Sequence, residues 1–165
     1  MLGWAIGLMA LLLVAPRVEA ASYLMLTDLG SSAEMIRRGN IEGFSNGSNA
    51  IFENPAGLHH VNVISTSVFA SEIMKEVSYR NVSVAIDSSI GAFGIGYMDA
   101  GIDDIPNTRK NGNIIEAIGV FSYKNRIVKV GYQASITEQL QLGLSAVGYM
   151  NEIHTYTGSG YNLDA

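Results

Sequence analysis

The sequence lacks cysteine and has few charged residues. With no cysteine among 165 residues, a disulfide framework and thiolate chemistry are both excluded. Asp, Glu, Lys and Arg make up only 15% of the chain, against about 25% in a typical globular domain. The net charge of −5 argues against nucleic-acid binding, because no basic stripe is present to neutralise phosphates. Low charge with 18 glycines favours a β protein whose outer face meets something less polar than water.

Long apolar runs are also scarce, and the longest lies at the N-terminus. It runs from Leu2 to Val14, too short for a membrane-spanning helix of about 20 residues. Pro16 and then Val18-Glu19-Ala20 follow it, a pattern that permits cleavage after Ala20. We therefore predict that residues 1–20 are a signal peptide, with an N-terminal membrane anchor as the alternative. No later stretch of 18 apolar residues occurs, so no transmembrane helix is predicted.

Apolar and polar residues alternate along the second half of the chain. In residues 140–147 the leucines and Ala146 fall on one face, while Gln141, Gly143, Ser145 and Val147 fall on the other. Residues 128–136 repeat this pattern, with Lys129, Gly131 and Gln133 on the more polar face. A period of two with one apolar face predicts strands, and the short Thr137-Glu138 link predicts a tight hairpin.

The same arrangement occurs upstream, where 77–87 turns through Ser88-Ser89 into 90–98. Longer polar connections, 99–113 and 151–160, are predicted to follow the tight hairpins. Short turns alternating with long loops are typical of bacterial outer-membrane barrels, whose apolar strand faces meet lipid. Residues 114–127 form either a separate strand or one extended strand with 128–136. We favour the extended strand, because it keeps the short turns on one side.

No pattern in the sequence indicates an active site. His59 and His60 are adjacent, and neighbouring residues of a strand point to opposite faces, so joint metal chelation is not predicted. Asp99, Asp103 and Asp104 match no calcium loop. No nucleophile elbow or dinucleotide fingerprint is present. We predict no catalytic residue, metal site or cofactor.

Small and aromatic residues are assigned structural roles instead. Gly91, Gly94 and Gly96 are predicted to make room inside the wall or to relieve its curvature. Four tyrosines near strand ends are candidates for an interfacial aromatic girdle or for ordinary packing. They are Tyr79, Tyr97, Tyr132 and Tyr149.

The stretch GFSNGSNAIFENPAGL, residues 43–58, resembles the N-terminal motif of the FadL/PorV-type outer-membrane β-barrel superfamily. Its final five residues match that motif position by position: Asn54, Pro55, Ala56, Gly57 and Leu58. Asp104-Ile105-Pro106 is similar to an element of the family's first long extracellular loop, and 140–165 resembles a later hairpin. The resemblance covers roughly residues 29–165.

The resemblance implies an all-β fold, an antiparallel up-and-down transmembrane barrel. In it, residues 21–60 form a hatch or plug inside the barrel, and residues 61–165 supply about five or six wall strands. The motif at Asn54–Leu58 joins hatch to wall. Because a membrane barrel must close, and the smallest have about eight strands, the chain is expected to be the N-terminal portion of a larger barrel or one contributor to a homo-oligomer.

The resemblance also implies a function. On the FadL side it implies transport of hydrophobic solutes, such as long-chain fatty acids, across the outer membrane of a Gram-negative-type cell. The alternative, on the PorV side, is a barrel that serves protein secretion or surface attachment of a secreted cargo protein. The partners are then outer-membrane lipid and either the solute or the cargo. A secreted soluble β domain is the third reading, because lipid-facing and core-facing strands share one pattern.

Overall fold

The computed structural model describes residues 26–112 and 114–164. The predicted signal peptide, residues 1–20, and the first five residues of the predicted hatch lie outside the described residues. Residues 26–60, called the inner segment below, form short helices, and six strands follow. None of the described helices is long and apolar enough to cross a bilayer.

The inner segment contains two short α-helices and three 3₁₀ helices. The α-helices are α1, Ala33–Arg37, and α2, Ala50–Glu53. The 3₁₀ helices are Leu26–Leu29, Gly47–Asn49 and Pro55–His60. Ser32 caps α1 by accepting a hydrogen bond from the Met35 amide at 3.1 Å, as expected for a serine N-cap. Such short helices depend on packing against the rest of the chain.

The six strands form one antiparallel sheet in which every strand pairs with its sequence neighbours. They are β1, Ile64–Ile73; β2, Val77–Ser88; β3, Gly91–Asn111; β4, Ile114–Ser135; β5, Gln141–Ile153; and β6, Tyr156–Asp164. This up-and-down order confirms the predicted all-β class and the predicted antiparallel topology. In the described residues the sheet is open, with β1 and β6 as its edges.

The predicted extended strand is confirmed, since β4 runs without a break from Ile114 to Ser135. The two predicted long polar connections are wrong. Residues 99–111 continue β3, and residues 151–153 and 156–160 belong to β5 and β6. These segments are polar because they are exposed, and cross-strand pairing makes them strands all the same. The long loops are therefore long hairpins, closed at residues 112–113 and at His154-Thr155.

The two faces of the sheet differ as the alternation predicts. One face, the inner face, is covered by the inner segment and buries Gly94, Lys129, Gly131 and Ser145. The opposite, outer face is apolar and exposed. It carries nine large apolar side chains that are 43–76% exposed: Val68, Val82, Ile86, Phe93, Ile95, Val128, Val130, Leu142 and Leu144. A soluble protein rarely exposes so continuous an apolar surface.

Candidate functional site

The corner at Asn54–Leu58 attaches the inner segment to the sheet. The α2 helix ends at Asn54, whose backbone is extended (φ −133°, ψ 108°), as expected for a residue before proline. The Asn54 side chain accepts a hydrogen bond from the Ala56 amide at 3.0 Å, and Pro55 begins the next 3₁₀ helix. The chain then reaches β1 within a few residues of His60. The predicted turn chemistry is therefore present in the structure.

The corner packs on a floor of glycines in β3, β4 and β5. Leu58 lies over Gly94, and Ile51 and Phe52 lie over Gly96. The backbone of Pro55 and Ala56 lies over Gly143. Any larger residue at Gly143 would collide with that backbone, because a Cβ there would lie 2.6 Å from the carbonyl carbon of Pro55. The glycines thus allow the helices to lie directly on the sheet, as predicted for Gly94 and Gly96.

This contact buries most of the apolar side chains of the corner. Ile51 and Leu58 have no exposed surface, and Phe52 is 2% exposed. Burying a side chain of this size stabilises a fold by roughly 1.5–3 kcal/mol. The corner is therefore an integral part of the folded sheet.

A polar ladder on β2 holds the start of the inner segment. The Tyr79 hydroxyl donates to the Gly30 carbonyl at 3.0 Å. The Asn81 amide donates to the Ser31 carbonyl at 2.8 Å, and the Ser83 hydroxyl to the Ser48 hydroxyl at 2.9 Å. All three β2 side chains are almost completely buried, where unpaired polar groups would be costly. The ladder therefore sets the position of the inner segment along β2.

Glu53 organises the inner segment from within. Its Oε1 atom accepts from the Ser31 hydroxyl at 2.8 Å and from the Ser45 hydroxyl. Its Oε2 atom accepts from the amides of Gly43 and Ser45 at 3.1 and 3.3 Å. One carboxylate thus joins α2, the loop before it and the start of α1. Hydrogen bonds to an ionised group are stronger than neutral ones.

A row of charges, the charged belt, crosses the outer face where the apolar surface ends. Arg80 on β2 donates two hydrogen bonds to Asp99 on β3, at 2.9 and 3.1 Å. Asp99 lies opposite Arg126 on β4, and Arg126 donates to Glu152 on β5 at 2.8 Å. The belt is therefore continuous over four strands. Lys124 pairs with Asp103 just beyond it, at 3.7 Å.

The inner face at the level of the belt carries an apolar cluster around Leu26, which is 1% exposed. Its buried members from the sheet include Tyr79, Met98 and Ile127. Four half-buried side chains pack against it: Phe69, Ile73, Val77 and Tyr149. Away from the corner, the inner face is therefore apolar on one side of the polar ladder. The small, polar inner residues identified from the sequence describe only the half of the face that the corner covers.

Two sequence interpretations need correction. Tyr79 and Tyr149 lie on the inner face and belong to the apolar cluster, so only Tyr97 and Tyr132 are placed on the outer face. His59 and His60 lie in a 3₁₀ helix, where their ring centroids are 3.7 Å apart, so they do not point to opposite faces of a strand. Within residues 26–112 and 114–164, no group of three or more potential ligands is placed to hold a metal.

Sequence reasoning missed Glu53 and the charged belt. Glu53 lies beside the Asn-Pro motif and stands out only once its four donors are placed. Arg80 and Asp99 are far apart in sequence and meet only through the β2–β3 register. A scan of family models, a search of curated proteins and a search of solved structures found no match to this chain.

Proposed function

We propose that the described strands form part of the wall of an outer-membrane β-barrel, with the inner segment as its plug, and that the protein passes hydrophobic solutes such as long-chain fatty acids. The observation that carries this proposal is the outer face, an exposed apolar band that ends at the charged belt. Lipid would cover such a band, and the belt would lie among the headgroups. Membrane β-barrels have this distribution of residues.

The height of the band suits a membrane. Along β4, the band extends from Ile136, just past the strand, to Arg126. Ten residues at a rise of about 3.3 Å span about 33 Å along the strand. Tilted by about 40°, this strand covers about 25 Å of membrane thickness, the height of the apolar band in outer-membrane barrels.

The apolar cluster on the inner face supports the choice of a hydrophobic solute. Phe69, Ile73, Val77 and Tyr149 keep part of their surface accessible beside Leu26 and Leu29. A solute on this side of the plug would bury its chain against them, and ligand pockets are typically lined in this way. The docked corner would then close the route along the other half of the inner face.

A closed wall requires partners for both edges of the sheet, because unpaired backbone groups are too costly in lipid. Within the described residues β1 and β6 have one neighbour each. Further wall strands must therefore pair with both, and a second copy of the chain is one source of them. Cross-linking of the membrane-inserted protein would identify that source.

The membrane proposal is tested by fractionation of the exported chain and by heat-modifiable migration on a gel. Val130→Arg places a charge in the middle of the band, where it costs roughly 2–4 kcal/mol in an outer-membrane barrel. We expect this variant to lose both outer-membrane location and heat-modifiability. Val120→Arg, beyond the belt, is the matched control and should keep both. Soluble wild-type protein without a heat-dependent shift would contradict the proposal and favour a secreted β domain.

The solute is tested separately by binding of a fluorescent fatty acid to the detergent-folded protein. Phe69→Ser removes an inner apolar side chain, and we expect at least fivefold weaker binding. Val68→Ser, the adjacent position on the outer face, should leave the affinity unchanged. Binding that is not saturable, or that both variants weaken equally, would contradict solute transport.

A second candidate function, surface attachment of a secreted protein, is favoured by one observation. Residues 103–111 of β3 and 114–122 of β4 extend beyond the other strands as an ordered ribbon with exposed apolar side chains. A membrane-inserted protein without saturable fatty-acid binding would support this alternative.

A further inference from the structure

The ribbon formed by 103–111 and 114–122 has two open edges. β2 pairs with β3 only as far as Ile102, and β5 pairs with β4 only from Tyr123 onward. Beyond these points the two segments pair with each other, and no other strand of the described residues reaches them. An open strand edge presents unpaired amides and carbonyls, a template for pairing with another chain.

The edge on β3 is protected against such pairing. Pro106 lacks an amide hydrogen, and the strand has a bulge between Ile102 and Ile105. Charged residues flank the proline on both sides along this segment. They are Asp103, Asp104, Arg109 and Lys110. Proline, bulges and charges are the usual devices that prevent edge-to-edge association.

The edge on β4 has far less protection. Residues 114–122 contain no proline and one charge, Glu116, although a register shift also occurs near Ile118. The side chains are β-branched and exposed: Ile114 64%, Ile115 71%, Ile118 51% and Val120 62%. Such residues favour strand pairing. The ribbon therefore protects one edge and leaves an apolar one open.

The open edge continues an existing strand interface. The β4–β5 pairing runs in unbroken register from Ser135–Gln141 to Tyr123–Ile153. Its last backbone contact is the His154 amide to the Ser122 carbonyl at 3.3 Å, and the chain then turns into β6. A strand laid along 114–122 would therefore extend the line of β5 and add hydrogen bonds to β4.

We propose that the β4 edge, residues 114–122, binds an extended segment of a second protein by β-strand addition. Main-chain hydrogen bonds provide affinity in this mode of recognition, and alternate side chains provide specificity. Because apolar side chains are exposed along the edge, the segment that fits is rich in β-branched or aromatic residues. This inference names the binding site for the attachment function and does not depend on solute transport.

A second copy of the chain fits this edge poorly. Antiparallel pairing through the same edge would relate the copies by a two-fold axis perpendicular to the strands, so that their sheets point in opposite directions. Two chains in one membrane cannot adopt that arrangement. This step rests on the proposed membrane location, so oligomeric state is measured independently of it.

The test uses a labelled peptide with the sequence of residues 114–122 and the full chain folded in detergent micelles. In one antiparallel register, Ile115 of the chain lies beside the peptide residue equivalent to Val120. We expect saturable binding by fluorescence anisotropy. The same peptide with alternate amides N-methylated should bind at least tenfold more weakly, because it cannot complete the hydrogen-bond pattern.

Variants of the chain locate the peptide. Ile115→Lys with Val120→Lys should weaken binding at least tenfold, whereas Thr108→Lys with Asn111→Lys on β3 is the matched control and should not. Equal binding of both peptides, or equal effects of both variant pairs, would overturn the proposal. So would a dimer in sedimentation velocity that the β4 variant dissociates, since the edge would then bind a second copy. Heat-modifiability, recorded in parallel, reports membrane-type folding separately.

Discussion

Gly143 of β5 lies directly under the peptide bond that joins Pro55 to Ala56. A helical segment can approach a strand this closely only where the strand has no side chain, as at glycine. Sheet and inner segment therefore fit together through backbone contact, and the fit depends on single residues.

Replacing Gly143 by alanine tests this contact. The added methyl group would lie 2.6 Å from the Pro55 carbonyl carbon and still closer to the Ala56 amide nitrogen, and backbone atoms cannot move aside as a flexible side chain can. We expect a loss of roughly 1–3 kcal/mol, the usual range for overpacking, measured by denaturant unfolding. Gly148→Ala on the same strand is the control, because its methyl group meets nothing closer than 3.9 Å. Equal losses would show that the corner does not press on Gly143.

Tyr79→Phe tests the polar ladder. It removes the hydroxyl that donates to the Gly30 carbonyl and leaves that acceptor buried without its partner. We expect about 1 kcal/mol of destabilisation and faster hydrogen exchange in residues 30–36. Tyr161→Phe, at an exposed position, should change neither quantity. Unchanged exchange in Tyr79→Phe would mean that the ladder does not hold the inner segment.

Glu53→Gln tests the centre of the inner segment. A glutamine has only one acceptor oxygen, and its amide group would face donors that now bond to the carboxylate. We expect residues 43–45 to loosen, seen as faster proteolysis in that loop, with about 1–3 kcal/mol lost in unfolding. Glu42→Gln, at an exposed position nearby, is the control. Protection from protease in Glu53→Gln would contradict the assigned role.

Arg80→Ala tests the charged belt. Asp99 has a side chain that is only 12% exposed, so removal of Arg80 leaves a poorly hydrated carboxylate without its two strongest donors. We expect about 1–2 kcal/mol of destabilisation, and less efficient membrane insertion under the proposed function. Glu34→Gln disrupts an exposed ion pair with Arg38 and should cost under about 1 kcal/mol. Similar losses for both variants would mean that the belt behaves as ordinary surface charge.

Much of this architecture could be predicted from local patterns. Alternation placed Val128 and Val130 on one face and Lys129 and Gly131 on the other, and the burial of these residues confirms it. Asn54 and Pro55 predicted the corner, because proline restricts its own φ and the preceding residue. The inward orientation of Tyr79 could not be predicted, since both faces of β2 carry a mixture of polar and apolar residues.

The sequence by itself determined the strands, their two faces and the turn that leads into them, because each depends on neighbouring residues and on a period of two. Only the tertiary structure decided which groups meet across the sheet. The Arg80–Asp99 pair and the peptide over Gly143 require a specific strand register and docking of the inner segment. The exposed edge at 114–122 likewise arises because β5 ends before β4 does, and the difference in strand length appears only when the strands are paired.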